Sequence, residues 1–515
     1  MATQWQTFPI EFRGGLISNL SPLQHGTNAV GSATILQNFE ANKEGGYSKI
    51  RGYAKYSLTT VPGSGPILAL KVISSGRVVA ARKNGSNQTQ YYYSTGTSWT
   101  SMATSVGTNG GKARHILYNL DGDDKVIFVD GTNYPAIYNT SGNSTTFMTS
   151  SNSTDVLGSE HVAVFKNTAF YAKGNNIYFT APFTVDDFSV ANGAGSINVA
   201  NDVTGLAVFR DQLIIFTSDT IKRLTGSSSA DFTVSPITDR IGCINGDTIQ
   251  EVGGDIMYLA PDGIRLLSAT DRIGDFALDV ASNQIAKDAN IFLSQTSSFC
   301  SVLFKEKAQY RIFAYVQSEQ DDAAKGLIAT KFISQGAAGI AWSTTKGIKA
   351  FVADSRYTGT AETIAFANED GYVYVMDTGS DFDGGAIEAI YESPFMPISD
   401  PQVRKTFYKM TLYAEPTGSM SLDLNLKYDF ASASNTKVVQ PATQQISGTG
   451  ASVFLFGASN AVFNTATFGG ELDKIYDTNV IGSGKTVALR LEDLSTNPTF
   501  TLDTALLEYS QEDRQ

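Results

Sequence analysis

Residues 213–224 read LIIFTSDTIKRL, and residues 256–267 read IMYLAPDGIRLL. The two stretches align without a gap, 43 positions apart. In each, four apolar residues meet a tight polar turn, Ser218-Asp219-Thr220 or Pro261-Asp262-Gly263, and an apolar-rich strand returns. Short β-rich runs joined by an Asp- or Gly-bearing turn are a hairpin signature. A period in the low forties is that of a propeller blade.

The pattern extends both ways. Residues 161–170 (HVAVFKNTAF) overlay residues 205–214 (GLAVFRDQLI) at an offset of 44, and residues 363–376 (TIAFANEDGYVYVM) overlay residues 255–268 (DIMYLAPDGIRLLS). Looser copies lie at 67–79 and 115–129. About seven blades are therefore expected between residues 61 and 395, inside the usual range for propellers. One or two β-sandwiches, whose hairpins look alike because hairpins do, are the competing reading.

Composition agrees with an all-β chain. Among 515 residues there are 47 Gly but only 14 Pro, with 23 Tyr and 30 Phe. β-branched and aromatic runs separated by small polar turns favour strands. Apolar content of 42% is enough to bury a core, so disorder is not expected. Net charge is −12, which argues against a general nucleic-acid binder but leaves room for an acidic surface that DNA passes without sticking. The two cysteines, Cys243 and Cys300, form no C-x-x-C and are expected to be buried thiols. No apolar run reaches eighteen residues, so no membrane span is expected. The start, MATQWQTFPIEF, lacks the basic and apolar regions of a secretory signal.

Past residue 395 the pattern changes. Residues 405–414, 421–430, 486–492 and 500–509 are longer runs with period-two alternation, as in an antiparallel sandwich. Pro394, Pro397 and Pro401 mark the boundary, and residues 431–452 read as a long exposed loop. Residues 276–289 are the one expected helix, with Leu278, Ala281 and Ile285 on one side and Asp275 as its cap. The expected organisation is 1–60 and 396–515 forming one platform, with a propeller over 61–395 inserted between them. The short N-terminal piece cannot bury a core alone.

Residues 1–60 carry paired glycines. Gly14-Gly15-Leu16 leads to Asn19-Leu20-Ser21-Pro22, then Asn38-Phe39-Glu40-Ala41 and Glu44-Gly45-Gly46-Tyr47-Ser48-Lys49-Ile50-Arg51-Gly52-Tyr53. This region resembles the N-terminal part of the tail nozzle proteins, or tail tubular proteins B, of short-tailed bacteriophages. Residues 204–226 and 242–275, the latter opening Gly242-Cys243-Ile244-Asn245, extend the resemblance to roughly a quarter of the chain. The resemblance implies a β-propeller on a platform built from both chain ends. It also implies a homo-oligomeric ring, usually of six copies, in the virion tail. Such a ring adjoins the portal and adaptor and the fibre or spike proteins, and genomic double-stranded DNA passes through it without specific binding.

The search for chemistry is sparse. Gly482-Ser483-Gly484-Lys485-Thr486 looks like a phosphate loop, but Asn479 stands where the motif needs glycine, and a strand-like run follows instead of a helix. Ser94-Thr95-Gly96-Thr97-Ser98-Trp99 resembles the end of a sialidase Asp box, with Ser94 in place of the Asp, so Trp99 reads as core or blade edge. His25, His115 and His161 are far apart, and His115 and His161 occupy equivalent repeat positions, not a zinc site. The pairs Asp123-Asp124, Asp186-Asp187, Asp321-Asp322 and Asp381/Asp383 sit in polar loops; a glycosidase needs two carboxylates facing across a cleft. They read as solvated turn acids, and none fits a calcium loop. The expectation is therefore a structural virion protein with no catalytic, cofactor-binding or metal residues. The rival is a soluble propeller acting on or binding carbohydrate.

Overall fold

The computed structural model of the protein describes residues 5–74, 76–120, 122–268, 280–334, 337–431, 440–448 and 474–511. Six sheets of three or four strands stand separately in a β-propeller arrangement. Four of them are simple meanders, beginning at Ser64–Ser74, Arg114–Asn119, His161–Phe165 and Val203–Phe209. A three-stranded sheet begins at Gln250–Val252. The sixth holds Val352–Thr358, Ala361–Ala367 and Val373–Met376, completed by Tyr53–Lys55 from near the start of the chain. A strand borrowed from the other end of the sequence covers an edge that would otherwise stay open.

The expected count of about seven blades is corrected to six. Phe299–Phe304, Gln309–Ala314, Lys325–Ser334 and Ala337–Lys346 make the same meander, but its outer strand runs on into a nine-stranded sheet. Ile35–Gln37 makes that join, pairing parallel at Thr344 and antiparallel along Ala389–Glu392. The Asn38 side chain donates to the carbonyls of Lys346 and Glu388, both at 2.9 Å.

The repeat has a backbone cause. The first two strands of successive blades are joined by two-residue loops at Lys166-Asn167, Arg210-Asp211 and Gly253-Gly254. All six residues have positive φ, at 49° and 58°, 46° and 62°, 55° and 79°. This is the type I′ turn, whose twist suits a hairpin and which selects Asn, Asp and Gly. Neighbouring tips are tied together: Lys166 meets Asp211 at 2.6 Å, and Arg210 donates to the Gly254 carbonyl at 2.9 Å.

Strands from both ends of the chain share two sheets. Gln6–Glu11 runs antiparallel along Phe500–Gln511, from Gln6 opposite Tyr509 to Glu11 opposite Thr504. Lys405–Pro416 lies on the other side of Phe500–Gln511. In the nine-stranded sheet, Met420–Tyr428 alternates between buried and half-buried along its whole length. One apolar core joins Ile10, Phe12 and Leu36 to Leu424, Leu491 and Leu507, and continues to Trp342 and Leu259 of the propeller side.

The helix expected over 276–289 lies partly outside the described residues, which leave out 276–279 and with them Leu278. A 3-10 turn occupies Asn283–Ile285 and the α-helix is Ala286–Leu293; Asp275, the expected cap, lies outside the described residues. The stripe that packs is Ile285, Ala289 and Phe292, spaced four and three, so it runs on past the expected end. A second helix, Pro22–Asn28, starts at Ser21-Pro22, a pairing of N-cap and first-turn proline that marks a helix start. Most of the loop expected at 431–452 lies outside the described residues. No helix among the described residues is long and apolar enough to cross a membrane.

Candidate functional site

The innermost strands of the blades converge on a cavity of about 200 Å³, lined among others by Leu70, His115, His161, Leu206, Ser301 and Ala353. Asp247 closes it. The side chain of Asn245 accepts from the Asp247 amide at 2.9 Å and starts the 3-10 turn Gly246–Thr248. Asp247 meets Lys112 at 3.0 Å and Arg114 at 2.7 Å. Burial opposes ionisation of Asp247, but the two cations outweigh it and hold the carboxyl well below the usual carboxylate range.

Both repeat-position histidines line this cavity. Burial, helped by Lys71, pushes His115 down to about 4; burial, helped by Arg114, pushes His161 down to about 3. Both rings are thus neutral at neutral pH. His115 Nε2 lies 2.8 Å from the Leu70 carbonyl. A side chain on Gly246 would come 2.0 Å from the Thr204 carbonyl and 2.9 Å from the His161 ring, so glycine is what admits the histidine. Gly242 lets the chain cross the Thr217–Asp219 turn: a Cβ there would lie 2.1 Å from the Thr217 carbonyl. Cys243 and Cys300 are buried free thiols, pushed by burial up to about 12 and about 11.

A second concavity, of about 400 Å³, gathers Glu319, Asp321, Asp322, Glu369, Asp370 and Lys349. It brings the sequence-selected pair Asp321-Asp322 together with Glu369 and Asp370 from another blade. Both acids are exposed residues of the 3-10 turn Asp321–Ala323, as expected of turn acids, though Asp321 feels its acidic neighbours. Burial raises the Asp321 carboxyl above its usual value, opposed by Lys349 and reinforced by Asp370 and Glu369. Glu369 is ion-paired to buried Lys349 and accepts from the Tyr315 hydroxyl at 2.5 Å. Tyr374 donates to Asp370 at 2.5 Å.

The remaining sequence-selected residues stay apart. Asp123 and Asp124 lie on an exposed hairpin tip, and Asp121 is outside the described residues. Asp186 accepts from Asn152, and Asp187 holds the turn to Ser189 and Asn192. Asp381 accepts from the Gly384 amide, while Asp383 pairs with Lys55 at 2.6 Å. Trp99 opens the outer strand of the first blade and donates to the Thr59 carbonyl. Ser483–Gly484 pairs with Lys405-Thr406 and leads to the strand Val487–Asp493, so no helix N-terminus stands where a phosphate loop needs one. Sequence reasoning missed Lys112, Arg114, Asp247, Lys349 and Glu369. Only Asn245-Gly246-Asp247 carried a local signal, that of a capped turn.

No family model matches the chain, and no curated protein matches it. Among solved structures, it is similar to the extracellular domain of a protein described as a hybrid two component system from B. thetaiotaomicron, at 12% identity and a TM-score of 0.38, over 62% of this chain and 40% of that one. It is also similar to the extracellular domain of a one component system from the same organism, at 10% and 0.39, over 70% and 44%. A third is an exo-beta-1,3-galactanase from Phanerochaete chrysosporium with galactose, at 8% and 0.25, over 89% and 100%. The chain spans less than half the length of the two B. thetaiotaomicron proteins.

Proposed function

We propose that the protein is a structural component of the tail nozzle of a short-tailed bacteriophage, assembled as a hexameric ring in the host cytoplasm. The ring extends the DNA ejection channel below portal and adaptor, contacts fibre or spike proteins, and catalyses nothing. The observation that carries this reading is what the residues of the resemblance do. Gly15 and Leu16 lock the N-terminal segment onto the propeller side: Leu16 donates to the Trp342 carbonyl at 2.7 Å, and the Tyr47 hydroxyl accepts from the Gly15 amide at 2.9 Å. Glu40 binds Arg311 at 2.6 Å and Lys307 at 2.8 Å. These residues tie the N-terminal segment to the 299–346 meander of the nine-stranded sheet, which would serve as part of a platform, and rigid bodies of this kind close into rings through repeated heterologous contacts. The propeller's own axis is closed by Lys112, Asp247 and Arg114, so a duplex would need a lumen between chains. Mass spectrometry of purified particles tests the reading: six copies per virion are expected, and one or three would refute the ring.

A second reading is favoured by one observation. The pocket gathers Asp321, Glu369 and Asp370, with one carboxyl raised, and a glycosidase needs carboxylates grouped around a cleft. Polysaccharide turnover by the purified chain, lost on Asp321→Asn or Asp370→Asn, would establish that reading and overturn the structural one.

A further inference from the structure

We propose that the axial cavity of the propeller binds a small oxyanion, inorganic phosphate or a short carboxylate, held by His161, Arg114 and Lys112. His161 carries the argument. It is 7% exposed, it lines the cavity, and neither ring nitrogen has a hydrogen-bond partner among the described residues. The ring nitrogens face the accessible space of the cavity, so a group entering it can pair with them. The donors beside it are also in surplus. Lys112 directs two of its three N–H groups to Asp247 and to the Phe299 carbonyl. Arg114 directs Nε and Nη2 to Asp247 and one Nη1 hydrogen to the Glu160 carbonyl, which leaves two guanidinium hydrogens over.

Charge selects the ligand. Lys112 and Arg114 face the single carboxylate of Asp247, and Lys71 is cancelled by Asp354 at 2.8 Å. The two histidines and the Cys300 thiol are neutral at neutral pH. One positive charge remains beside the cavity, on an Arg114 side chain that is 31% exposed and open to an entering anion. A monoanion with several acceptor oxygens balances the charge and takes up the free donors together. At about 200 Å³ the cavity suits a small ion and excludes an oligosaccharide. The site is independent of whether the chain forms a ring.

The test is a titration of the full-length protein, labelled in its three histidine rings, with sodium phosphate, with acetate and with a short DNA duplex. Ionic strength is held constant with chloride, and ring resonances are read by NMR. The expected result is a saturable shift of the His161 signals by phosphate, acetate or both, with Kd in the millimolar range or below. His25 should not move. Arg114→Lys keeps a cation for Asp247 but loses the fork, and should weaken binding about tenfold or more. His161→Phe should abolish it. A His161 signal that stays fixed, or that moves linearly together with His25, overturns the proposal. So does a shift produced by the duplex, which would mean that a polymer phosphate reaches the site.

Discussion

Lys49 and Asp493 pair at 3.2 Å with both side chains fully excluded from solvent, although they come from opposite ends of the chain. The Lys49 ammonium also donates to the carbonyls of Ser495 and Asn497. Burial lowers its pKa, and Asp493 opposes that shift. Removing one partner leaves the other as a buried, uncompensated charge. Asp493→Leu alone is therefore expected to cost about 3–5 kcal/mol of unfolding free energy in urea titrations. The double variant Lys49→Met/Asp493→Leu should cost much less, because an apolar pair needs no compensation. A double variant as unstable as the single would show that the pair itself supplies the stability.

Gly15 and Gly379 separate two effects of glycine. Their φ values are nearly equal, at 70° and 69°. A Cβ on Gly15 would lie 2.8 Å from the Trp342 backbone nitrogen and oxygen, whereas Gly379 faces open space. Gly379→Ala pays only the left-handed backbone, about 1–2 kcal/mol. Gly15→Ala adds a clash between two main chains and should lose about 3 kcal/mol or more. Equal losses in thermal or urea unfolding would mean that the joint yields freely.

The histidines give the fold a dependence on pH. His115 and His161 have folded pKa values of about 4 and about 3, below the ordinary 6.5. Between pH 6.5 and about 4 the unfolded chain binds protons at these positions and the folded chain does not. Stability therefore falls as pH drops through that window, by on the order of 1.4 kcal/mol per pH unit for each histidine. Unfolding of the wild type and of His161→Gln at pH 7 and pH 4.5 checks this. The variant should lose less stability on acidification, and parallel losses would count against a buried neutral His161.

The repeat was legible because a backbone constraint writes it into sequence. The type I′ tips at Lys166-Asn167 and Arg210-Asp211 need residues that tolerate positive φ, and strands of fixed length return them at nearly constant spacing. The alternation of Met420–Tyr428 was legible for a similar reason, since one face is buried. The cavity network was not. Lys112 and Arg114 lie at the start of one blade and Asp247 before the first strand of another, and nothing in local spacing records which loop faces which across an axis. The blade count failed where Ile35–Gln37 joins two sheets, a pairing set by tertiary contacts at Thr344 and Tyr391. Asp321 and Glu369 likewise meet only through the packing of adjacent blades.

DNA that moves through a ring quickly would be slowed by attraction to its walls. Each chain carries a net charge of −12, so six would carry about −72. Acids are frequent at the surface turns, as at Asp381 and Asp383, while many cations are already held by carboxylates, as in Lys307 with Glu40 and Lys427 with Glu392. Repulsion acts within about a Debye length, roughly 8 Å at physiological salt, and would keep a duplex centred. The purified protein is therefore expected to bind double-stranded DNA only marginally at physiological ionic strength. A salt titration followed by fluorescence anisotropy is the measurement. Submicromolar affinity that falls steeply with salt would reveal a basic track beneath the net negative charge, and the repulsive wall would have to be abandoned.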